Sequence, residues 1–291
     1  GTIALVAGGD VTLHAGSLLR TSGIGAWANG GEVKLSSAAG FVNLLPGSVV
    51  DVGEGGGGRG GLLHLRAQRQ ESDVRMNLEG KVSGASGILA EAFGIHAYTG
   101  AKTLGAADFE ALQADTALYM ANASAVESRL LSALERDGWE ADALQLLPGL
   151  ELRATGNMTL GTAWDLTTWR FDGKPGVLTL RSAGHLSLQA DLIDHPTPVG
   201  SLLGSTASPS WYFNLTAGAD LSGADVATIG NGAWDLTIQA GRQVYTESGA
   251  VRLASARDIV IGPGAATGYM INSSIRGSVG SYTGMVSGRV G

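Results

Sequence analysis

Short runs of the form apolar–any residue–apolar recur along the chain, and they come in pairs. The first pair is Ile3 and Leu5, followed by Val11 and Leu13. The second is Val33 and Leu35, then Phe41, with Asn43 in the last slot. Leu150, Leu152, Met158 and Leu160 make the third, and Leu178, Leu180, Leu186 and Leu188 the fourth. Phe213, Leu215 and Leu221 follow with Gly223 in the last slot, then Leu236, Ile238 and Val244, then Val251, Leu253, Ile259 and Ile261. A period of two places the apolar side chains of each run on one face of a strand. Small residues and a turn-former separate the runs, as in Ala7-Gly8-Gly9 and Ser182-Ala183-Gly184. The second and third apolar positions are read as six residues apart in every copy. Copies return after 30 residues from Leu5 to Leu35, 28 from Leu152 to Leu180 and 15 from Ile238 to Leu253. Leu63 and Leu65 continue the 30-residue interval, with Val74 and Met76 arriving late.

Fixed strands joined by loops of variable length predict an all-β fold, a parallel coil of stacked rungs or β-solenoid. An antiparallel sandwich is the competing architecture, but its strands seldom keep one internal offset through so many repeats. Burying a Leu, Ile or Val contributes ~1.5–3 kcal/mol, too little for a lone rung to offset the ordering of its strands. Rungs therefore need neighbours. The stretch from Asp51 to Gly61 holds seven glycines and reads as a flexible surface loop.

One region departs from the pattern. From Asp108 to Asp137, Phe109, Leu112, Tyr119, Val126, Leu130 and Leu134 follow three–four spacing, the signature of an amphipathic helix. Ser124 and Glu127 form a candidate capping box, so two helices are expected, meeting near Asn122, with Gly138 ending the second. The predicted organisation is rungs over 1–104, a helical insertion packed on the strands over 105–147, and rungs again over 148–291. Such a helix pair covers its own strands or docks a partner.

Composition narrows the classes. Forty-six glycines and only 7 prolines fit short strands and tight turns. The net charge of −7 and the lack of a basic run exclude a nucleic-acid footprint. No apolar run reaches the ~18 residues of a membrane-spanning helix. Without cysteine there is neither a disulfide framework nor a thiolate metal site, which suits an exported bacterial protein. The chain opens at Gly1 directly into a strand pattern, as a slice of something longer would.

Candidate chemistry centres on Asp165, Asp191 and Asp194 with His195, because glycoside hydrolysis needs two carboxylates flanking a sugar. Asp165 falls beneath Ile193 when the rungs are aligned. Turn-forming is the competing role for these acids, since Pro196 and Pro198 follow directly. Trp169 is expected in a loop, exposed, as the best aromatic for stacking on a sugar, whereas Trp234 alternates with Leu236 and is expected inside. The histidines (His14, His64, His96, His185 and His195) lack metal-ligand spacing, and His14 and His185 are expected to point outward. Neither Gly53 to Gly61 nor Gly262, Gly264 and Gly268 fits a phosphate or dinucleotide loop, so no cofactor is implied.

The stretch Trp169-Arg170-Phe171-Asp172-Gly173-Lys174-Pro175-Gly176-Val177-Leu178-Thr179-Leu180, with Pro148-Gly149-Leu150-Glu151-Leu152 before it and Asp258-Ile259-Val260-Ile261-Gly262 after it, resembles the filamentous haemagglutinin-like large exoproteins of bacterial two-partner secretion. That resemblance implies a right-handed parallel β-helix exported through an outer-membrane β-barrel partner. It further implies display on, or release from, the cell surface as an adhesin meeting host cells, carbohydrate or other copies of itself. The Asn-Pro-Asn-Gly type secretion motif of that family is absent, so the resemblance implies an interior or carboxy-proximal shaft without catalysis. A polysaccharide-binding or polysaccharide-degrading module is the alternative.

Overall fold

The computed structural model describes residues 1–195, 209–268 and 285–287. Pro196 and Pro198 lie outside the described residues. The chain is mostly β, with two α-helices, and its sheets are built from parallel strands. It divides into two compact units: residues 1–94 with 118–148, and residues 95–117 with 149–291. Residues 106–117 of the helical region fall in the second unit and 118–148 in the first.

In the first unit the strands Thr2–Ala7, Glu32–Ser37 and Gly61–Gln70 lie side by side in parallel, followed by the first part of Ala85–Tyr98. Ile3, Val33, Leu63 and Ile88 form one column, and Leu5, Leu35, Leu65 and Ala90 the next. Short strands stack beside them in a second sheet, aligning Val11 with Val42 and Met76, and Leu13 with Leu44 and Leu78. A third sheet aligns Leu19, Val50, Val82 and Arg136. Successive strands of the chain visit the three sheets in turn. The apolar columns point inward, and from the second layer on their side chains are almost wholly buried.

The second unit repeats the scheme. Leu152, Leu180, Leu215 and Leu253 are in register in its long-strand sheet. Leu104, Leu160, Leu188, Ile238 and Ile261 line up in the second, and Trp164, Leu192 and Val244 in the third. The zig-zag of an antiparallel sandwich is absent from these ladders.

The six-residue offset holds in four of the copies and fails in three. Val11 pairs with Val42 and Leu13 with Leu44, so the turn after Leu35 is one residue longer and Phe41 precedes the strand. Phe213 and Leu215 are continued by Leu236 and Ile238, not Leu221, because residues 218–235 form an insertion. Leu236 and Ile238 therefore belong to the second sheet and Val244 to the third, so the 15-residue interval joins two different sheets.

The helices are α1 (Ala106–Met120) and α2 (Ala123–Ala133), broken at Asn122. In the first unit α2 packs on Met76–Leu78 with Val126 and Leu130 buried, and Arg129 donates to the Met76 carbonyl and to Asp73. In the second unit Phe109 of α1 stacks on Trp164 at 4.3 Å, filling the core. The capping box does not form. Asn122 occupies the cap position, and Glu127 accepts a hydrogen bond from the Leu146 N–H instead. Nor does Gly138 end α2, since Glu135–Asp137 intervenes as a strand paired with Lys81–Ser83. No helix among the described residues is long and apolar enough to cross a membrane.

The glycine-rich stretch is not a loose loop. Its backbone is bonded to residues 23–30 through Gly23 N–H to Gly53 O, Trp27 N–H to Gly56 O and Gly30 N–H to Arg59 O, and Ala28 and Gly55 form an antiparallel bridge. The approach is so close that a Cβ on Gly55 would lie 2.3 Å from the Gly25 carbonyl oxygen. Only glycine admits two backbones at that spacing.

Candidate functional site

Asp165 and Asp194 lie on the third sheet of the second unit, and Asp191 in the turn just before its strand Leu192–Asp194. Asp165 is in register with Ile193, as the sequence alignment of rungs anticipated, and both align with Tyr245. Asp194 aligns with Thr246. Alternation along a strand therefore sends Asp165 and Asp194 to opposite faces of one sheet. Asp165 is exposed, whereas Asp194 is fully buried.

Each carboxylate has a structural partner. Asp165 accepts from the Thr167 N–H at 2.8 Å, closing a turn. Asp191 accepts from the Gln243 N–H at 2.9 Å, tying its turn to the next layer. Asp194 accepts from the Trp211 N–H at 2.6 Å and pairs with the Arg170 guanidinium at 2.7 Å. Burial nevertheless raises the Asp194 carboxyl above its ordinary value, outweighing those two bonds.

Trp169 was expected to be exposed, and it is buried, with 6% of its surface accessible. The loop carrying it folds back into the core, where Trp169 meets Trp164 edge-on at 5.5 Å and Trp211 at 6.3 Å. Its carbonyl accepts from the Trp211 indole N–H at 2.9 Å. With Phe109 and Phe171 these rings form one aromatic cluster, worth more through mutual edge contacts than through area alone. Trp234, expected inside, is 37% exposed because the strand begins two residues later at Leu236; its ring meets His185 edge-on. His14 is exposed, as anticipated; His185, expected to point outward, is half-buried, and its Nδ1 accepts from the Asp235 N–H at 3.0 Å.

On the outward side, Tyr245 faces a concentration of negative charge. Burial raises its phenol above the ordinary value, and Asp165, Asp191, Asp194 and Glu247 raise it further. His195 stands beside it with its ring centre 6.2 Å away, and His195 Nδ1 lies 3.7 Å from Glu247. Tyr245 and Glu247 escape sequence reasoning because their strand is separated from Asp165 by more than seventy residues of chain. Among the described residues no group of three or more His, Asp or Glu side chains is arranged to hold a metal ion.

The second feature is Trp27, which the sequence reading passed over. It is 78% exposed and its neighbour Ile24 94% exposed, at the tip of residues 24–27. The available signal was its position: an aromatic among glycines, away from every alternating run, has no strand to bury it.

Comparison of the chain with protein-family models, with curated proteins and with solved structures returns no match.

Proposed function

We propose that the chain is a stretch of right-handed parallel β-helix serving as a non-catalytic structural and adhesive shaft of a secreted or surface-displayed bacterial exoprotein. Several features support this. Each unit takes its strands in turn through three parallel ladders, and crossovers between parallel strands of one sheet are right-handed in nearly all proteins. Inward columns of Leu, Ile and Val keep register from layer to layer, which suits an element extended by repetition. An outer-membrane β-barrel secretion partner and a surface or self-association target follow from the resemblance to filamentous haemagglutinin-like exoproteins.

The observation that carries the non-catalytic half is the use of the acids. Asp165, Asp191 and Asp194 each bond a backbone N–H of their own scaffold, and Asp165 and Asp194 face opposite sides of a sheet. Asp165 and Asp194, so divided, do not converge on one glycosidic bond, which supports the non-catalytic reading.

The test has two arms. Incubation with a panel of polysaccharides, assayed for new reducing ends, is expected to show no turnover by the native chain. Turnover that disappears in Asp191→Ala or Asp194→Ala would instead establish a polysaccharide-degrading enzyme. Beads coated with the chain are expected to attach to epithelial monolayers or to one another above an uncoated control. Beads that do neither would remove the adhesive half.

A further inference from the structure

Trp27 is held in an unusual way. Its φ is +61°, the left-handed region that bulky residues rarely enter. Such a conformation persists only where the surroundings enforce it, and it tends to mark functional positions. Here the enforcement is visible. Trp27 N–H donates to Gly56 O at 3.2 Å, and Gly55 N–H to Ala28 O at 2.7 Å. Gly57, at φ +97°, lies directly against the indole: a Cβ there would be 3.0 Å from ring atom Cζ3. Gly57 thus backs part of the ring, and the rest faces solvent.

Polar side chains are carried by the two segments that hold Trp27. Glu54 Oε2 accepts from the N–H of Gly57, the glycine that lies against the indole, at 2.7 Å. Asn29 Oδ1 accepts from the Arg59 N–H at 2.9 Å. Those bonds use one of the two Glu54 oxygens and the amide oxygen of Asn29, leaving the Asn29 amide nitrogen as a donor, and the Arg59 guanidinium forms no ion pair or hydrogen bond among the described residues.

We propose that Trp27 is a carbohydrate-binding platform, on which a neutral pyranose ring stacks while Glu54, Asn29 and Arg59 hydrogen-bond its hydroxyls. A rigid aromatic face with donors and acceptors at its edge matches a sugar, whose ring presents C–H bonds on one side and hydroxyls at its rim. Insertion into lipid fits less well, because it would carry the Glu54 carboxylate out of water. A protein partner fits less well too, since Ile24 and Trp27 together fall far short of a stable interface. The assignment requires neither the adhesive role nor the β-helix.

Affinity electrophoresis of the folded chain through gels containing a soluble β-1,4-glucan, a galactomannan or an α-mannan provides the test. At least one polymer is expected to retard the native chain. Trp27→Ala and Trp27→Gly are expected to weaken that retardation on the order of tenfold, the loss of one aromatic stacking contact. Trp27→Gly relieves the left-handed strain, so its unfolding midpoint should not fall and lost binding cannot be blamed on misfolding. The proposal is overturned if none of the polymers retards the native chain or if both variants run like it. It is equally overturned if phosphatidylcholine vesicles, and no polysaccharide, capture the chain through Trp27.

Discussion

Asp194 is a carboxyl where water does not reach, and the consequence is a pH signature opposite to that of Asp220 and Asp235. Burial raises its pKa, so the native chain holds a proton there that the unfolded chain has already released. Its contribution favours the fold at low pH and is lost as pH rises from the ordinary value of 3.8 through the raised one. Asp235, hydrogen-bonded by Arg257, and Asp220, hydrogen-bonded by Ser222, are lowered instead. Their contribution is complete above 3.8 and lost as pH falls through the depressed values. Carboxyl-carbon NMR titration should find Asp194 titrating above 3.8 and Asp220 and Asp235 below it; Asp194 titrating with the other two would refute the assignment. The three candidate acids were legible in the sequence as turn-formers, since an Asp before a bend has a backbone N–H to accept from. Trp169 was not, because alternation says nothing about a loop that folds back into the core.

At the level of elements, the insertion between Tyr212–Ala217 and Leu236–Ile238 shows how a surface becomes a core. Residues 219–229 fold onto the outward face of the long-strand sheet of the second unit, and Thr216 donates to the Val226 carbonyl there. Arg181, on the same face and 1% exposed, donates to the carbonyls of Asp220 and Gly223 and pairs with Glu151 at 3.0 Å. Removing the cation takes one charge partner from the buried Glu151, which also pairs with Arg153, and one anchor from the strap. Arg181→Ala should therefore cost about 3–5 kcal/mol in urea unfolding and open residues 219–229 to limited proteolysis. A variant as stable and as protease-resistant as the native chain would show that the strap holds itself. Nothing in the sequence pointed to this role, because an Arg between core leucines reads as a solvated outward residue. The break at Asn122 was legible from spacing; the end of α2 was not, since strand pairing by Glu135–Asp137 overrides the helical pattern.

For the molecule as a whole, most stability lies in columns that each layer shares with its neighbours. Leu180, wholly buried between Leu152 and Leu215, is such a position, and Leu180→Ala should cost ~2–5 kcal/mol in chemical denaturation. Thr159, in the outward slot between Met158 and Leu160, should tolerate alanine within about 1 kcal/mol. Equal losses at both would mean that the columns are not the source of stability. The alternation of apolar residues made the strands and their parallel stacking legible. The exact offset was less so, because Val42 and Phe41 are both apolar and only pairing with Val11 decides between them. The division into two units left no trace in the apolar spacing.

The tie between residues 23–30 and the glycines after Asp51 makes the two segments a single inherited piece. Any exchange of the Trp27 tip, by engineering or by divergence, must bring its glycine bed along. A side chain gained at Gly55 would evict the tip as surely as a change within the tip itself, and one gained at Gly57 would displace the indole.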